Sequence, residues 1–400
     1  MTVRNLTAKI KYIPPRLYIK LYRDAQKRKE TNYMENTLSP IDYARMGCDT
    51  LMKKFSADTL PPAGLFHYHQ GVFLSGMEKT LAHTGERKYA DYIKSWVDGI
   101  ISPDGEITNY VKERLDDLQP GILLYRLLDE MGDKRYEKPL HTIYGHLKNW
   151  PRNQHGGFWH KYEHPNQVWL DGLYMAGPFL AMYGARFGEE RCFDEVYTQA
   201  KIMWDNNRNR ETNLLCHAWD ESRAESWADP ITGRSPECWG RALGWYIVAL
   251  VTVLDYFPRD YSHRGEMIDI IRTYAEAIAR YRDEKTGLWY QVTDKPDGEG
   301  NWLETSCSSL FVAGIASAVV RGYLGKEYAD IARRGFEGLI SVISADGDGG
   351  ITVPDICIGT GVGDYDFYIH RPVVENDLHG MGAFVIACCE YYDMIMKGSE

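Results

Sequence analysis

Apolar segments recur along this chain, and each is followed by a segment in which apolar and polar residues alternate with helical spacing. In residues 67–101, HYHQGVFLSGMEKTLAHTGERKYADYIKSWVDGII, the first part is apolar or small, TGERK marks a turn, and the second part is amphipathic. This pattern predicts a helical hairpin. The expected buried face of its second helix comprises Tyr89, Tyr92, Ile93, Trp96, Val97 and Ile100.

The same unit returns at intervals of roughly 50 to 75 residues along the chain. A helix that is apolar on every side belongs in the interior, whereas a helix with a polar face belongs outside. Six hairpins without polar capping units predict an all-α fold, an (α/α)6 barrel of two concentric rings, rather than an open solenoid. The further copies begin within residues 118–147, 169–204, 238–257 and 307–343, and the sixth pairs residues 379–395 with residues 40–55.

We expect residues 41–400 to form one barrel domain and residues 1–40 to form an N-terminal extension. The first 30 residues contain no continuous apolar core and no small-residue cleavage site, so they do not resemble a secretory signal. We therefore expect a cytoplasmic protein. The sequence favours a monomer or a weak homo-oligomer without deciding between them.

Charge and cysteine content narrow the class of protein. The 46 basic and 56 acidic residues give a formal net charge of −10, which argues against binding to nucleic acid or to an anionic membrane surface. No segment reads as a membrane span. The eight cysteines form no CxxC pair, and we expect them to be reduced residues of the core.

Long connections rich in glycine and aromatic residues separate the hairpins, and loops of this length are usually functional. All inner helices of a two-ring barrel run the same way, so their first residues share one mouth. Polar residues cluster at these starts, and the positive helix ends there would favour an anionic ligand. Asp171 is the sharpest case, because it is the one charge within VWLDGLYMAGPFLAMYGA.

Asp171 has two interpretations. It is either a helix cap or satisfied core acid, or a general acid whose pKa is raised by apolar surroundings. Asp116 and Asp117 precede another inner helix, where capping is the default role, and of the two we favour Asp116 as a second acid. Two carboxylates would resemble the paired acids of glycosidases.

Basic and aromatic residues near the same predicted rim suit a sugar acid, since cationic side chains bind carboxylate and indole rings stack on sugar faces. The glycines of GTGVGDYDFY lack the ending of a phosphate-binding loop. We expect no metal, because His155, His160 and His164 are too far from any cysteine pair to suggest a zinc site and no HExxH occurs. The candidate binding residues are His160, Lys161, His217, Trp239, Arg241 and Trp245.

Several blocks resemble the unsaturated rhamnogalacturonyl hydrolases, glycoside hydrolase family 105. They are HYHQGVFLSGM, LDDLQPG, HGGFWHK, WLDGLYMAGPFLAMY, CWGRALGWY, TSCSSLFVAGI, and GTGVGDYDFY with NDLHGMGAF. The resemblance runs from about residue 40 to the C-terminus, and the first 35 residues match nothing familiar.

The resemblance implies an (α/α)6 barrel that needs no cofactor and removes a 4,5-unsaturated galacturonyl residue, typically linked to rhamnose, from short saccharides left by pectin lyases. It implies Asp171 as general acid and base and Asp116 as its assistant. Asp171 would protonate C4 of the enol ether and then activate water for attack at C5. The implied sugar pocket comprises Tyr68 (or, on another alignment, His69), His160, Lys161, His217, Arg241 and Trp245.

Other functions stay open on the sequence. One is another (α/α)6 carbohydrate enzyme, either an inverting glycosidase with two separated carboxylates or a sugar epimerase with opposed bases. The other is a non-catalytic carbohydrate-binding toroid, which would give Asp171 no reason to be present. The sequence also leaves open the leaving sugar and the parent polysaccharide.

Overall fold

The computed structural model describes residues 38–398, which fold almost entirely into helices. Short 3₁₀ turns and three two-stranded ribbons occupy the connections. The described helices are α1 (Pro40–Lys54), α2 (Tyr68–Thr84), α3 (Arg87–Ile100), α4 (Leu123–Met131), α5 (Glu137–Lys148), α6 (Asp171–Phe187), α7 (Arg191–Asn207), α8 (Gly240–Val253), α9 (Arg264–Arg280), α10 (Thr305–Val320), α11 (Tyr328–Val342), α12 (Tyr365–Ile369) and α13 (Leu378–Gly398).

Six segments close into an inner ring. Around the ring, α2 packs against the 3₁₀ helix Gln119–Ile122 that leads into α4, that helix against α6, α6 against α8, α8 against α10, α10 against α13, and α13 against α2. Helices α3, α5, α7, α9 and α11 follow their inner partners on the outside, and α1 packs on α13 and α2. The predicted (α/α)6 barrel is confirmed, and its sixth hairpin pairs α13 with α1.

The helix boundaries follow from local chemistry. Ser39 caps α1 in a capping box with Asp42, and Pro40 occupies the first turn, where its missing N–H costs nothing. Helix α2 ends at Gly85, whose φ of 68° is favourable only for glycine among common residues. In α3, the six residues expected on the buried face are the buried ones.

The second inner segment departs from a simple helix. The chain runs through the 3₁₀ helices Leu115–Asp117 and Gln119–Ile122 before α4 begins. Pro120 sits within the second of these turns and donates no hydrogen bond, which favours the tighter geometry. This break places the two aspartates of LDD at the end of the barrel rather than along a helix.

Three short antiparallel ribbons were not predicted from the sequence. They are too short for a periodic pattern to reveal them. One of them joins two connections at the barrel mouth. The strands are β1 (Gln167–Trp169) paired with β2 (Ala218–Asp220), β3 (Ser344–Ala345) with β4 (Ile351–Thr352), and β5 (Ile356–Cys357) with β6 (Val373–Val374).

Close helix approach in the inner ring depends on glycine. A Cβ built on Gly382 in α13 would lie 2.7 Å from the backbone nitrogen of Phe73 in α2, and one on Gly76 would lie 3.1 Å from the Gly382 carbonyl oxygen. We expect Gly382→Ala to force these two helices apart and to reduce the free energy of unfolding by about 3 kcal/mol.

The matched control is Gly145→Ala in the outer helix α5. A Cβ there meets nothing within 4 Å, so the substitution should raise stability by up to about 1 kcal/mol through helix propensity. Urea unfolding of both variants checks the pair. A Gly382→Ala protein as stable as the wild type would contradict the close packing of α2 on α13.

Charged groups occupy the barrel axis near a cavity of about 70 Å³ that all six inner segments line. Glu390 is bound by Lys79 Nζ at 2.6 Å and by Arg321 Nη1 at 3.4 Å. Burial alone would raise the pKa of Glu390, but these two cations lower it from 4.5 to about 2.

The depressed pKa predicts a pH-dependent contribution to stability. Ionised Glu390 contributes fully above pH 4.5, its ordinary value, and the contribution is lost as pH falls toward 2. Because 40% of the Lys79 side chain is exposed, we expect Glu390→Gln to cost only about 1–2 kcal/mol near neutral pH. Unfolding measured across pH should show this cost shrinking below pH 4.5; a cost independent of pH would contradict it.

Further sequence predictions concern the cysteines, membrane spans and the N-terminal extension. All eight cysteines are buried and free, as expected for core residues. Within residues 38–398, no helix has the length and apolar character needed to cross a membrane. The expected N-terminal extension lies outside the described residues apart from its last three. The buried core extends from Ile41 to Met394.

Candidate active site

Asp171 is the first residue of α6 and lies at the barrel mouth, where 8% of its surface is exposed. Strand β1 ends two residues earlier, and its pairing with β2 sets Trp169 opposite Ala218. The residue before Ala218 is His217, whose carbonyl accepts a hydrogen bond from Leu170 N–H. The ribbon therefore places His217 beside Asp171, and the distance from His217 Nε2 to Asp171 Oδ2 is 3.0 Å.

His217 is fully buried and has a second polar partner. Its Nδ1 lies 2.7 Å from the hydroxyl of Tyr368, a residue of the short helix α12. The indole of Trp239 covers the imidazole, with ring centroids 4.6 Å apart. The three side chains Asp171, His217 and Tyr368 thus form a continuous hydrogen-bonded chain.

The electrostatics of Asp171 differ from the sequence-based expectation. Burial raises its pKa, but the electrostatic interaction and the hydrogen bond with His217 outweigh burial, and the pKa lies below the ordinary value. The expectation of a raised pKa is therefore wrong for the site without substrate, because a hydrogen-bond donor sits on the carboxylate. Burial lowers the pKa of His217, which favours a neutral imidazole.

Asp116 lies in the 3₁₀ helix Leu115–Asp117 and faces the same mouth. His160 Nε2 lies 3.3 Å from one carboxylate oxygen, and Lys161 Nζ lies 3.4 Å from the other. Burial opposes ionisation, but His160 and Lys161 hold the pKa of Asp116 far below its ordinary value. The charge of Asp116 in turn disfavours ionisation of Asp171. The structure thus brings both predicted acids into one electrostatic unit.

The adjacent acid, Asp117, behaves in the opposite way. Burial and the neighbouring charge of Asp116 raise its pKa to about 7. The sequence pattern suggested a raised carboxyl pKa for Asp171. The carboxyl whose pKa is raised is instead that of Asp117, the last residue of the 3₁₀ helix Leu115–Asp117.

Trp169 is a site residue that sequence reasoning missed. Its indole stacks on His160 with ring centroids 4.4 Å apart, and Lys161 Nζ lies 5.4 Å from the ring centre. The same ring meets His217 edge-on at 5.3 Å. Trp169 therefore separates the residues around Asp116 from those around Asp171. Its position two residues before Asp171 in the WLDG block was the available signal.

Tyr68 and His69 occupy different places at the start of α2. The electrostatic neighbours of the Tyr68 phenol are Arg241, Asp116, Asp377 and Asp171, so the influence of both acids reaches this side chain. His69 instead approaches Asp377, with 3.8 Å between Nδ1 and Oδ1. The geometry favours Tyr68 over His69 as the residue that faces the acid pair.

One group of described side chains could accommodate a cation. His69, Asp377 and His379 each offer a donor atom, and these atoms lie within 4.8 Å of one another. His379 already uses Nδ1 on Asp377 at 2.7 Å and Nε2 on the Cys357 carbonyl at 3.1 Å. Asp377 also accepts a hydrogen bond from the His379 backbone N–H at 3.3 Å, at the start of α13.

Arg241 is only 1% exposed. Its Nη1 donates to the Cys357 carbonyl at 2.6 Å, and its Nη2 donates to the Ile358 carbonyl at 2.7 Å. With a longer bond to Ser306, these contacts use three of the five guanidinium N–H groups. Arg241 therefore holds a loop of the mouth in place. Two of its N–H groups remain for its predicted role in substrate binding.

The two tryptophans predicted to bind substrate have different surroundings. Trp239 lies beneath Arg241, whose guanidinium carbon is 4.4 Å from the ring centroid, and it also covers His217. Trp245 is one further turn along α8 and packs on Tyr174 at 4.4 Å. The structure joins Trp239 to the Asp171 cluster and places Trp245 against an inner helix.

The arrangement suits acid and base chemistry on a small anionic ligand. Asp116 is a fixed negative charge, whereas Asp171 can gain a proton when its environment changes. Aromatic rings and positive helix ends surround both. Paired carboxylates with different environments are the usual way to separate a proton carrier from an electrostatic stabiliser.

Comparison with known proteins adds independent information. A family model described as Glycosyl Hydrolase Family 88 matches residues 43–395. Protein Atu3128 of Agrobacterium fabrum is 31% identical over 230 residues, which cover 54% of this chain and 97% of that protein. Unsaturated rhamnogalacturonyl hydrolase YesR of Bacillus subtilis is 29% identical over 294 residues, covering 69% and 76%. A family 105 glycoside hydrolase structure from C. acetobutylicum matches with a TM-score of 0.83 and 35% identity, covering 88% and 99%.

Proposed function

Because this chain belongs to Glycosyl Hydrolase Family 88, we propose that it removes a 4,5-unsaturated galacturonyl or related uronyl residue from the non-reducing end of short saccharides. It is a glycoside hydrolase, and its resemblance to family 105 is confirmed by the C. acetobutylicum structure. The finer proposal is supported by the hydrogen bond between Asp171 and His217 at the mouth of the barrel, near a second acid whose pKa His160 and Lys161 hold far below its ordinary value.

The proposed reaction begins with hydration of the C4=C5 bond. Protonated Asp171 transfers its proton to C4, which leaves an oxocarbenium-like centre at C5. Water attacks C5 and gives its proton to the same carboxylate, so Asp171 acts first as acid and then as base. The bond from C5 to the ring oxygen then opens, and the hemiacetal formed at C1 releases the neighbouring sugar.

In this mechanism, substrate binding raises the pKa of Asp171 so that its carboxyl becomes protonated. In the free site the pKa of Asp171 is lowered by His217. A uronyl carboxylate bound beside Asp171 adds a second negative charge and excludes water, and both effects raise a carboxyl pKa. Asp171 therefore becomes protonated only when its substrate is in place.

Asp116 is proposed to stabilise the positive charge that develops at C5. His160 and Lys161 hold it ionised, and a fixed anion in a site that excludes water stabilises such a charge strongly. The aromatic rings of Trp169 and Trp239 border the acids and suit the apolar faces of the sugar.

The names of relatives support the substrate class. YesR is an unsaturated rhamnogalacturonyl hydrolase, and another relative, 24% identical over 184 residues, is an unsaturated 3S-rhamnoglycuronyl hydrolase from Formosa agariphila. Both names combine an unsaturated uronyl group with rhamnose. We propose unsaturated rhamnogalacturonan disaccharide as the preferred substrate and pectin degradation as its source.

The test is a panel of unsaturated disaccharides that differ in the uronyl group and in the leaving sugar. Loss of the ultraviolet absorbance of the conjugated double bond reports turnover. We expect the galacturonyl-rhamnose disaccharide to react fastest. Faster turnover of a glucuronyl substrate would reject the proposed specificity, and no turnover of any unsaturated uronide would reject the reaction.

A further inference from the structure

The buried hydroxyl of Tyr368 contacts the proposed acid, Asp171, only through the ring of His217. It lies 2.7 Å from Nδ1 of His217, and the opposite nitrogen, Nε2, lies 3.0 Å from Oδ2 of Asp171. Tyr368 is 0% exposed, and its ring stacks on Trp239 with centroids 5.9 Å apart. Its position is therefore determined by packing.

The direction of these hydrogen bonds follows from the chemistry of each group. Burial raises the pKa of Tyr368 well above its usual value, so the phenol keeps its proton. Gly363 N–H donates to the phenol oxygen at 3.4 Å, which leaves the phenol O–H to donate elsewhere. The nearest acceptor is Nδ1 of His217.

A neutral imidazole has one N–H and one lone pair. The ionised carboxylate of Asp171 can only accept, so the N–H must be on Nε2 and the lone pair on Nδ1. A buried Nδ1 lone pair requires a donor, because an unpaired polar group in the interior is costly. The Tyr368 hydroxyl is that donor, and it therefore stabilises the same tautomer of His217 that the Asp171 carboxylate requires.

We propose that Tyr368 is a positioning residue of the reaction: by donating to Nδ1 it holds His217 as the Nε2–H tautomer, so that Oδ2 of Asp171 is occupied and Oδ1 carries the transferred proton. The effect of Tyr368 on the reaction rate rests on the proposed function, because Asp171 transfers a proton only in that reaction. The tautomer itself does not depend on any substrate.

The kinetic test compares Tyr368→Phe with the wild type on unsaturated rhamnogalacturonan disaccharide. Without the phenol hydroxyl, Asp171 is held less firmly and kcat should fall about 10- to 100-fold, with KM little changed. The weaker bond from His217 also raises the pKa of Asp171. Because Asp171 must be protonated to react, the falling limb of kcat against pH should move to higher pH by about half a unit to one unit.

Other groups act on the same carboxyl and must be kept constant. The charged and titratable side chains whose electrostatic influence reaches Asp171 or is felt from it are His217, His160, Asp116, Arg241 and Tyr68. All are intact in Tyr368→Phe. A shifted pH limb therefore reports the loss of the Tyr368 hydroxyl.

Tyr365→Phe is the matched control. Tyr365 belongs to the same short helix and donates its hydroxyl to the Glu299 carbonyl at 3.1 Å, away from His217. It should keep wild-type kcat and the wild-type pH limb. If Tyr368→Phe lowers kcat but leaves the pH limb where it is in Tyr365→Phe, the role of Tyr368 is merely structural and the proposal is overturned.

A second measurement needs no activity and no folded variant of Tyr368. Nitrogen-15 NMR of the full chain labelled at its 12 histidines reports the protonation of each ring. The His217 signals, assigned by their loss in His217→Gln, should show a neutral ring protonated at Nε2 around neutral pH. A ring protonated at Nδ1, or at both nitrogens, overturns the proposal. Failure of every unsaturated substrate alongside the expected tautomer would instead reject the proposed function.

Discussion

Asp171→Asn should fold normally and lose turnover of unsaturated rhamnogalacturonan disaccharide by about 10³-fold or more. The amide has the shape of the carboxylate and can still accept the hydrogen bond from His217 Nε2–H, whose present length is 3.0 Å. It cannot carry a proton to C4 or take one from water. Since the same group serves both steps, its loss removes both contributions to the rate.

The comparison needs a variant that removes an aspartate without touching the mouth. Asp205→Asn on the outer helix α7 breaks an exposed contact with Lys201 and should leave the rate unchanged. Thermal unfolding of both variants checks that the fold is intact. An Asp171→Asn enzyme with more than about a tenth of wild-type activity would exclude Asp171 as the proton carrier.

Arg241→Met should be the most damaging single substitution for stability among those proposed here. It leaves the Cys357 and Ile358 carbonyls without their charged donor and removes the cation 3.9 Å from Glu304, which is fully buried. Breaking a buried pair from one side typically costs about 3–5 kcal/mol. The loop released by the substitution includes Gly359, where an added Cβ would lie 3.5 Å from the Tyr68 hydroxyl, so kcat should also fall about a hundredfold.

Arg272→Met provides the control for loss of an arginine that binds a backbone carbonyl. Arg272 donates to the Tyr323 carbonyl at 3.0 Å, but 56% of its side chain is exposed. Its loss should change the free energy of unfolding by less than about 1 kcal/mol. Urea unfolding separates the two variants, and equal costs would show that Arg241 is not the anchor of the loop.

The barrel was accessible from the sequence because helical periodicity is a local property repeated many times. Each hairpin pairs a segment that is apolar on all sides with an amphipathic one, and α3 buries the six residues that its spacing selected. The interruption before α4 was less accessible, because Pro120 at a helix start is equally compatible with an ordinary first turn.

The candidate site was only partly accessible. Asp171 and Asp116 stood out as acids at the starts of apolar helices, and the structure brings them into one mouth. Their pKa shifts were not predictable from composition, since the shift at Asp171 depends on His217, which a ribbon from a distant connection delivers. Tyr368 was hidden for the same reason, being 151 residues from the histidine it contacts.

Turnover in D₂O shows whether a proton is transferred to C4. We expect the uronyl product, observed by proton NMR at early times, to have lost the C4=C5 bond and to carry one carbon-bound deuterium at C4. An ordinary glycosidase that cleaves at C1 would release the uronyl sugar with its double bond intact and no deuterium at C4. Formation of that product by this enzyme would exclude proton transfer to C4.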